Sequence, residues 1–209
     1  APSLIVVDKK TGKLIGEEAS GLSTRIFHSN WSSPAYLKTE DTERTIFGGP
    51  DGVLYAFDPT PVKDEDGFMV LKQAWEFDCN PKSYRFKPDG TPIKYATSKG
   101  PSEVLGTPIV HQGRAYAVIG QDPEHGEGIG NLVCVDANGK EVWAFNDIHR
   151  SMSTMASATD RPSASAALMA ASTLCSKVLR LSRAVRGSLV VRTPASPPVG
   201  GRRIAGWVT

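Results

Sequence analysis

The loop from Gln121 to Gly130 carries the densest group of chemically active side chains in this chain of 209 residues. Carboxylate oxygens are the ligands that hard cations such as calcium prefer, and a histidine beside a carboxylate can transfer protons. Several glycines let the backbone of the loop turn back on itself. We therefore predict a candidate metal site here, and the alternative is a solvated hairpin loop. The candidate ligands are Asp122, Glu124, His125 and Glu127.

A second pair of candidates, His149 and Arg150, follows the last clear strand pattern. An arginine can bind an anionic group through two parallel hydrogen bonds, so we predict these two residues as candidate cofactor ligands. The alternative is that Arg150 forms a salt bridge to a neighbouring loop. A single histidine without thiol or histidine partners is a poor zinc set, and the sequence holds no nucleophile, base and acid arrangement. No catalytic residue is therefore assigned.

The elements that must position these residues are four short strands with turn chemistry between them. Asn138-Gly139 separates two apolar runs, and Asn-Gly is the strongest local signal for a tight hairpin because the turn needs positive φ. One four-stranded antiparallel unit is predicted. Its strands are Thr107–His111, Arg114–Ile119, Asn131–Asp136 and Lys140–Phe145.

The chain repeats this unit. KQAWEFD at 72–78 matches KEVWAFN at 140–146, and DGVLYAFD at 51–58 matches IGNLVCVD at 129–136. SPAY at 33–36 answers TPIV at 107–110 in the same order, and residues 3–15 form a third, partial copy. Two insertions, 59–71 and 80–99, lengthen the spacing and are predicted to be exposed loops because they are rich in Pro, Gly, Asp and Lys.

Strand, Asp, turn, Gly-Lys, strand and Trp together resemble the repeat of the PQQ-like (quinoprotein alcohol dehydrogenase-like) β-propellers. The resemblance covers about Leu4 to Met155. It implies that the outer-strand Trp packs between neighbouring blades and that His149 and Arg150 lie where blade connections reach the channel. It also implies PQQ and calcium as cofactors. The adjacent cysteines that form a disulfide ring beside the cofactor in quinoprotein dehydrogenases do not occur, and Cys134 is expected to be a buried strand residue.

The predicted fold is therefore all-β, an incomplete propeller of about three four-stranded antiparallel blades in residues 1–155. Propellers close with about four to eight blades, so open edges and self-association through them are expected. The sequence begins in the middle of a repeat with no signal peptide, which favours a fragment. For the full-length family the resemblance implies a bacterial protein of the periplasm or cell envelope.

Residues 156–209 are predicted to be an atypical basic tail. Residues 1–150 carry 16 Lys and Arg against 21 Asp and Glu, a net charge of −5, whereas residues 151–209 carry 8 against 1, a net charge of +7. Three origins stay open: a frameshift that interrupts a further blade, a disordered end, or a real basic tail. In the last case a single helix over 165–186 is predicted, because apolar residues recur there at three- and four-residue steps.

The leading functional hypothesis is a truncated, non-catalytic binding or scaffold module, with a protein or small-molecule ligand at the propeller channel. The alternative is a fragment of a quinoprotein dehydrogenase that uses PQQ and calcium. A third hypothesis is nucleic-acid or membrane contact through the basic tail, because such a helix would be attracted to anionic surfaces.

Overall fold

The computed structural model describes residues 1–26, 29–94, 100–126, 128–158 and 167–169, the last three as backbone only. The chain divides into two units, Ala1–Leu174 and Cys175–Thr209, of which the second lies outside the described residues. Short strands are the main regular secondary structure of the described part of the first unit, and its one described α-helix is α1 (Lys82–Arg85).

The described strands, in chain order, are β1 (Ile5–Val7), β2 (Leu14–Glu18), β3 (Ala35–Lys38), β4 (Glu43–Gly48), β5 (Val53–Phe57), β6 (Val62–Lys63), β7 (Met69–Leu71), β8 (Gln73–Asp78), β9 (Ile109–His111), β10 (Arg114–Val118), β11 (Leu132–Val135), β12 (Glu141–Phe145), β13 (Ala156–Ala158) and β14 (Ala167–Met169). The first sheet has the order β1-β2-β7-β6, the second sheet β3-β4-β5-β8 and the third sheet β9-β10-β11-β12. A fourth pair joins β13 to β14.

The second and third sheets are two copies of one antiparallel blade. In both, the outermost strand carries the tryptophan on the face toward the following blade: Trp75 lies opposite Ala56, and Trp143 lies opposite Cys134. The four-stranded unit predicted from the sequence is confirmed, with its strands trimmed by one or two residues at some ends. The described part of the chain is therefore an incomplete propeller that contains these blades.

The same hairpin occurs three times. At the end of the first strand of the hairpin, the backbone N–H of an Asp donates to the carbonyl of a Lys across the turn. The pairs are Asp8 and Lys13 at 2.8 Å, Asp58 and Lys72 at 2.8 Å, and Asp136 and Lys140 at 2.9 Å. In all three hairpins the register shifts immediately before that Asp. The partial copy at residues 3–15 is thus confirmed as the outer hairpin of a blade.

The insertion at 59–71 differs from the prediction of an exposed loop. It contains β6 and β7, and β7 pairs in parallel with β2, so the insertion extends the first sheet at its outer edge. The local sequence does not predict this pairing, because neither β6 nor β7 exceeds three residues and the partner strand β2 belongs to another blade. In the insertion at 80–99, α1 occupies part of the predicted loop, and residues 95–99 lie outside the described residues.

The core lies between the sheets and is divided into layers. One layer joins the second and third sheets through buried apolar residues of both, and a second layer joins the first and second sheets. Each fully buried large apolar side chain contributes about 1.5–3 kcal/mol relative to exposure. The buried faces are Leu37, Ile46, Leu54 and Ala56 against Ala115, Ala117, Val133 and Val135 in one layer, and Leu4, Leu22, Phe47, Tyr55, Phe57 and Leu71 in the other.

The innermost strands β3, β9 and β13 stand side by side. Equivalent hydrogen bonds connect the segments that precede them: the Ser33 N–H donates to Thr107 Oγ1 at 3.3 Å, and the Thr107 N–H donates to Thr154 Oγ1 at 3.2 Å. A bond that recurs from blade to blade in this way indicates rotation about a common axis, as in a propeller.

The helix predicted over 165–186 does not hold at Ala167–Met169, where β14 pairs with β13 in antiparallel fashion. Backbone hydrogen bonds to a neighbouring strand replace the helical bonds there. The rest of that stretch lies outside the described residues, so a frameshift and a disordered end both stay predictions. Among the described helices none has the length and apolar content needed to span a bilayer.

Candidate functional site

The loop after β10 is built around a buried carboxylate. Asp122, 2% exposed, caps the short 3₁₀ turn Pro123–His125, and its Oδ1 accepts the Glu124 N–H at 2.7 Å. Its Oδ2 lies 2.6 Å from Nδ1 of His125. An Asp at an N-cap satisfies backbone donors that the turn leaves without intrahelical partners. Proline at the next position is favoured because its fixed φ suits the start of a helix.

The connection that enters the third sheet holds this loop from one side. Gln121 is fully buried and donates through Nε2 to the Gly100 carbonyl at 2.7 Å. Ser102 donates through Oγ to the Ile129 carbonyl at 3.0 Å. The loop that looks flexible in sequence is therefore tied to the blade connection at both its ends.

Arg150 holds the same loop from the other side. Its Nη1 donates to the Gly126 carbonyl at 2.7 Å, and its Nε is buried with no hydrogen-bond partner among the described residues. The His149 side chain is exposed, and its carbonyl packs against Gly130 so closely that an added Cβ would lie 2.2 Å away. Arg150 thus contacts a neighbouring loop through a hydrogen bond to a backbone carbonyl, and not through the salt bridge that the alternative expected. Cofactor binding by His149 and Arg150 stays a prediction.

The equivalent loop of the second sheet contains a polar cluster that the sequence did not reveal. Asp51 Oδ2 accepts from Arg25 Nε at 3.1 Å and from the Tyr55 hydroxyl at 2.5 Å. Arg85 donates through Nη2 to the Asp51 carbonyl at 2.7 Å, as Arg150 does to Gly126. Burial, followed by the Asp51 hydrogen bond, raises the pKa of Tyr55 above its usual value.

The two clusters share one design. In each blade an arginine of the following connection donates to a backbone carbonyl of the loop between the two middle strands, and an aspartate of that loop is buried. No sequence signal marks this pattern, because the bonded residues are 34 and 24 positions apart and the loops differ in length. These arginines serve to fix the blade connections.

The structure describes three of the four predicted metal ligands. It brings Asp122 and His125 together and leaves the Glu124 side chain exposed, and Glu127 lies outside the described residues. Across the described part of the chain, no three His, Cys, Asp or Glu side chains cluster to hold a metal ion. Calcium takes about six to eight oxygen ligands, and both Asp122 oxygens already have hydrogen-bond partners. The described residues do not fit calcium, and metal binding by the four-residue set stays a prediction.

The chemistry that the loop does offer is that of a histidine oriented by a carboxylate. A hydrogen bond at Nδ1 fixes the ring and selects which nitrogen carries the proton in the neutral form. Such a pair can hold or move a proton when a reacting group is placed at Nε2. The buried cysteines add no nucleophile: burial raises the pKa of the Cys79 thiol, and it does the same for Cys134, so neither is a ready thiolate.

A shallow groove of about 240 Å³ lies on the first sheet, between β2 and the insertion strand β7. Its lining is mainly apolar, and two of the lining side chains, Phe68 and Leu14, are 67% and 59% exposed. The groove-lining residues are Leu14, Ile15, Gly16, Glu17, Phe68 and Met69. We call this surface the outer groove.

Comparison with known proteins gives matches to solved structures alone. No family model matches the chain, and no curated protein matches it. BamB from Moraxella catarrhalis is similar over 71% of this chain and 35% of its own, with 16% identity and a TM-score of 0.43. The quinohemoprotein alcohol dehydrogenase ADHIIG from Pseudomonas putida HK5 is similar over 70% of this chain and 18% of its own, with 20% identity and a TM-score of 0.37.

The quinohemoprotein alcohol dehydrogenase from Comamonas testosteroni is similar over 68% of this chain and 18% of its own, with 16% identity and a TM-score of 0.38. The chain thus spans about a third of the length of BamB and less than a fifth of either dehydrogenase. Its own repeated sheets carry the fold assignment. In that fold the chain is similar to PQQ-type β-propeller proteins, as its repeat indicates.

Proposed function

We propose that this chain is a non-catalytic propeller module that binds protein partners. The observation that carries the proposal is the outer groove, where Leu14, Ile15, Phe68 and Met69 are exposed together. Clustered exposed apolar side chains on a soluble domain are typical of sites for protein contact. The partner segment that fits is extended, with apolar residues that enter the groove and a basic residue beside Glu17.

Selection from a library of short random peptides, followed by fluorescence anisotropy, tests this proposal. We expect apolar peptides to be enriched and Phe68→Asp to weaken their binding at least tenfold, because the substitution places a charge at the most exposed apolar position of the groove. Phe86→Asp is the matched control, since Phe86 is also an exposed phenylalanine but does not line the groove. Binding that ignores Phe68, or no enrichment at all, would refute the groove as the partner site.

The second candidate function is a quinoprotein dehydrogenase fragment, and the oriented Asp122 and His125 pair is the observation in its favour. Incubation with PQQ and calcium, followed by dye reduction with alcohols and sugars, separates the two candidates. The proposal expects no dye reduction above a heat-treated control. Calorimetric titration with calcium tests the metal prediction separately, because heat that disappears in Asp122→Asn would assign calcium to the loop.

Location in a bacterial cell envelope is part of the proposal and rests on the resemblance of the repeats. Cell fractionation of a tagged full-length protein would measure it. Contact of the basic tail with nucleic acid or membrane stays a prediction. Its signature is salt-dependent binding that deletion of residues 157–209 abolishes.

A further inference from the structure

We propose that Asn138 is a site of spontaneous covalent modification, at which conversion to isoaspartate weakens the junction between the second and third sheets. Asn138 lies in the turn between β11 and β12, and this turn packs against the second sheet. The site is separate from the outer groove, which lies on the first sheet.

The turn contains both groups that the reaction joins. Asn138 is the one asparagine of the sequence that precedes a glycine, and it is exposed to solvent. Because Gly139 has no Cβ, its backbone nitrogen can approach the carboxamide of Asn138 with little steric hindrance. The electrophile is the Asn138 side-chain carbonyl carbon Cγ, the nucleophile is the Gly139 nitrogen, and water is the co-reactant. The modification therefore needs no enzyme and no oxidant.

The reaction has two steps. In the first, hydroxide removes the proton of the Gly139 amide, the nitrogen attacks Asn138 Cγ, and the bond from Cγ to Nδ2 breaks, so that Nδ2 leaves as ammonia and a cyclic imide forms. In the second, water opens the imide. Cleavage at Cγ gives aspartate, whereas cleavage at the main-chain carbonyl carbon gives isoaspartate, in which the chain continues through the former side chain. No atom is oxidised or reduced in either step.

The folded turn restrains the nucleophile. The Gly139 N–H donates to the Asp136 carbonyl at 3.1 Å. The N–H groups of Asn138 and Lys140 both donate to Asp136 Oδ1, at 2.9 and 3.0 Å. Attack requires the Gly139 nitrogen to leave the Asp136 carbonyl and to lose its proton. The closed turn therefore slows the reaction, and the rate of modification measures how often the turn opens.

Contact with the second sheet keeps the turn closed. Trp75 Nε1 donates to the Ala137 carbonyl at 2.9 Å, and a Cβ added at Gly139 would lie 2.6 Å from the Trp75 ring. By contrast, no described atom lies within 4 Å of a Cβ built at Gly67 or Gly90, which follow aspartates in exposed turns. A contact between two blades therefore controls the reactivity of Asn138.

The product no longer fits the junction. Isoaspartate places a side-chain methylene group in the backbone, so the turn becomes one carbon atom longer and gains a negative charge. Gly139 then loses the position from which it both donates to the Asp136 carbonyl and contacts the Trp75 ring. Close-packed surfaces tolerate even one added methylene group poorly. Modification therefore loosens the contact that had slowed it, and the change is irreversible.

Incubation of the full chain in mildly alkaline buffer, followed by mass spectrometry of its peptides, measures the rate. The peptide that contains Asn138 should show the mass change from amide to carboxylate about tenfold faster in urea than in the folded chain, because urea opens the turn. Trp75→Phe keeps a ring but removes the donor to Ala137, so the folded reaction should be about fivefold faster. Trp143→Phe, the matched control on the third sheet, should leave the rate unchanged.

Hydrogen exchange of the β8 amides, compared between modified and unmodified chains, tests the effect on the junction. Exchange in β8 should be about tenfold faster after modification, and exchange in the β1–β2 hairpin should not change. Freshly purified Asn138→Asp carries the charge without the longer backbone and should exchange like the unchanged chain. Asn138→Gln should not be modified at this position, because its cyclic imide needs a larger ring.

Three results would overturn the proposal. An unreactive Asn138 in urea would show that the chemistry is absent. Equal rates in the folded chain and in urea, or no effect of Trp75→Phe, would show that the contact with the second sheet does not control the turn. Unchanged exchange in β8 after modification would show that isoaspartate leaves the junction intact.

Discussion

Trp75 and Trp143 occupy the same position of the same strand in two copies of one blade, yet one is covered and the other is open. Trp75 is held by a hydrogen bond to Ala137 and by close contact with Gly139 of the next blade. Trp143 meets Tyr116 on its own sheet and keeps more than a third of its surface exposed. A blade of this kind therefore does not bury its own faces, and its stability depends on contact with the neighbouring blade.

Replacement of each tryptophan with alanine should give the largest difference in stability between the two positions. Trp75→Ala should lower the free energy of unfolding by about 3 kcal/mol, because it leaves a cavity between two blades. Trp143→Ala should cost about 1 kcal/mol or less at protein concentrations below self-association, since little packing is lost. Urea denaturation followed by circular dichroism measures both.

Trp75→Phe serves as the control for the first comparison. It keeps an aromatic ring between the blades but removes the Nε1 donor, so the loss of the hydrogen bond to Ala137 should cost about 1 kcal/mol. Equal losses for Trp75→Ala and Trp143→Ala would contradict the view that the next blade decides the burial of each face.

Alanine substitutions at the two turn glycines test the same comparison, with smaller expected losses of stability. Gly139→Ala should cost about 2 kcal/mol or more, because positive φ penalises a Cβ and the methyl group would collide with Trp75. Gly12→Ala should cost only about 1 kcal/mol in the single chain, because the backbone penalty acts alone. Urea denaturation followed by circular dichroism measures the loss of stability in both glycine variants.

A pH series gives the smallest expected effect and contrasts Tyr55 with Tyr116. Burial comes first in raising the pKa of both hydroxyls, and Tyr55 has in addition a carboxylate partner, Asp51. A raised pKa means that the folded state holds the proton more tightly than the unfolded state. This contribution to stability is therefore complete below pH 10.0, the ordinary pKa of tyrosine, and falls as the pH rises above it.

Tyr55→Phe should flatten the loss of unfolding free energy above that pH, and Tyr116→Phe should flatten it less, because Tyr116 lacks a carboxylate partner among the causes of its shift. Thermal denaturation between neutral pH and the highest pH that the backbone tolerates gives the two slopes. A steeper effect of Tyr116 would contradict the expectation that its carboxylate partner makes Tyr55 hold the proton more tightly.

The repeat could be recognised from sequence because its signals are local. An Asp, a glycine of positive φ and a Lys lie within a few residues of one another in the first and third hairpins, and alternation of apolar residues specifies which side of each strand is buried. The expected inter-blade role of the tryptophan is confirmed at Trp75, and Cys134 is buried as expected. The strands β6 and β7 were missed because they are short and pair with a strand of another blade.

The candidate loop could also be predicted from the sequence only in part. Its carboxylates and histidine were visible as residue types, but the burial of Asp122 and its bond to His125 depend on how the turn Pro123–His125 folds. The cluster of Arg25, Asp51 and Tyr55 carries no local signature, since its members come from a blade connection and from two places in the second sheet.

By itself the sequence determined the blade as a unit: the strands, the hairpin turns and the side of each strand that is apolar, because these follow from backbone geometry and from the two-residue period of a strand. Only the tertiary structure decided which of those apolar faces are buried, because burial requires a second surface and no local pattern states which surface arrives. Equal tryptophans in equal hairpins therefore differ in exposure according to whether the turn of a following blade lies against them.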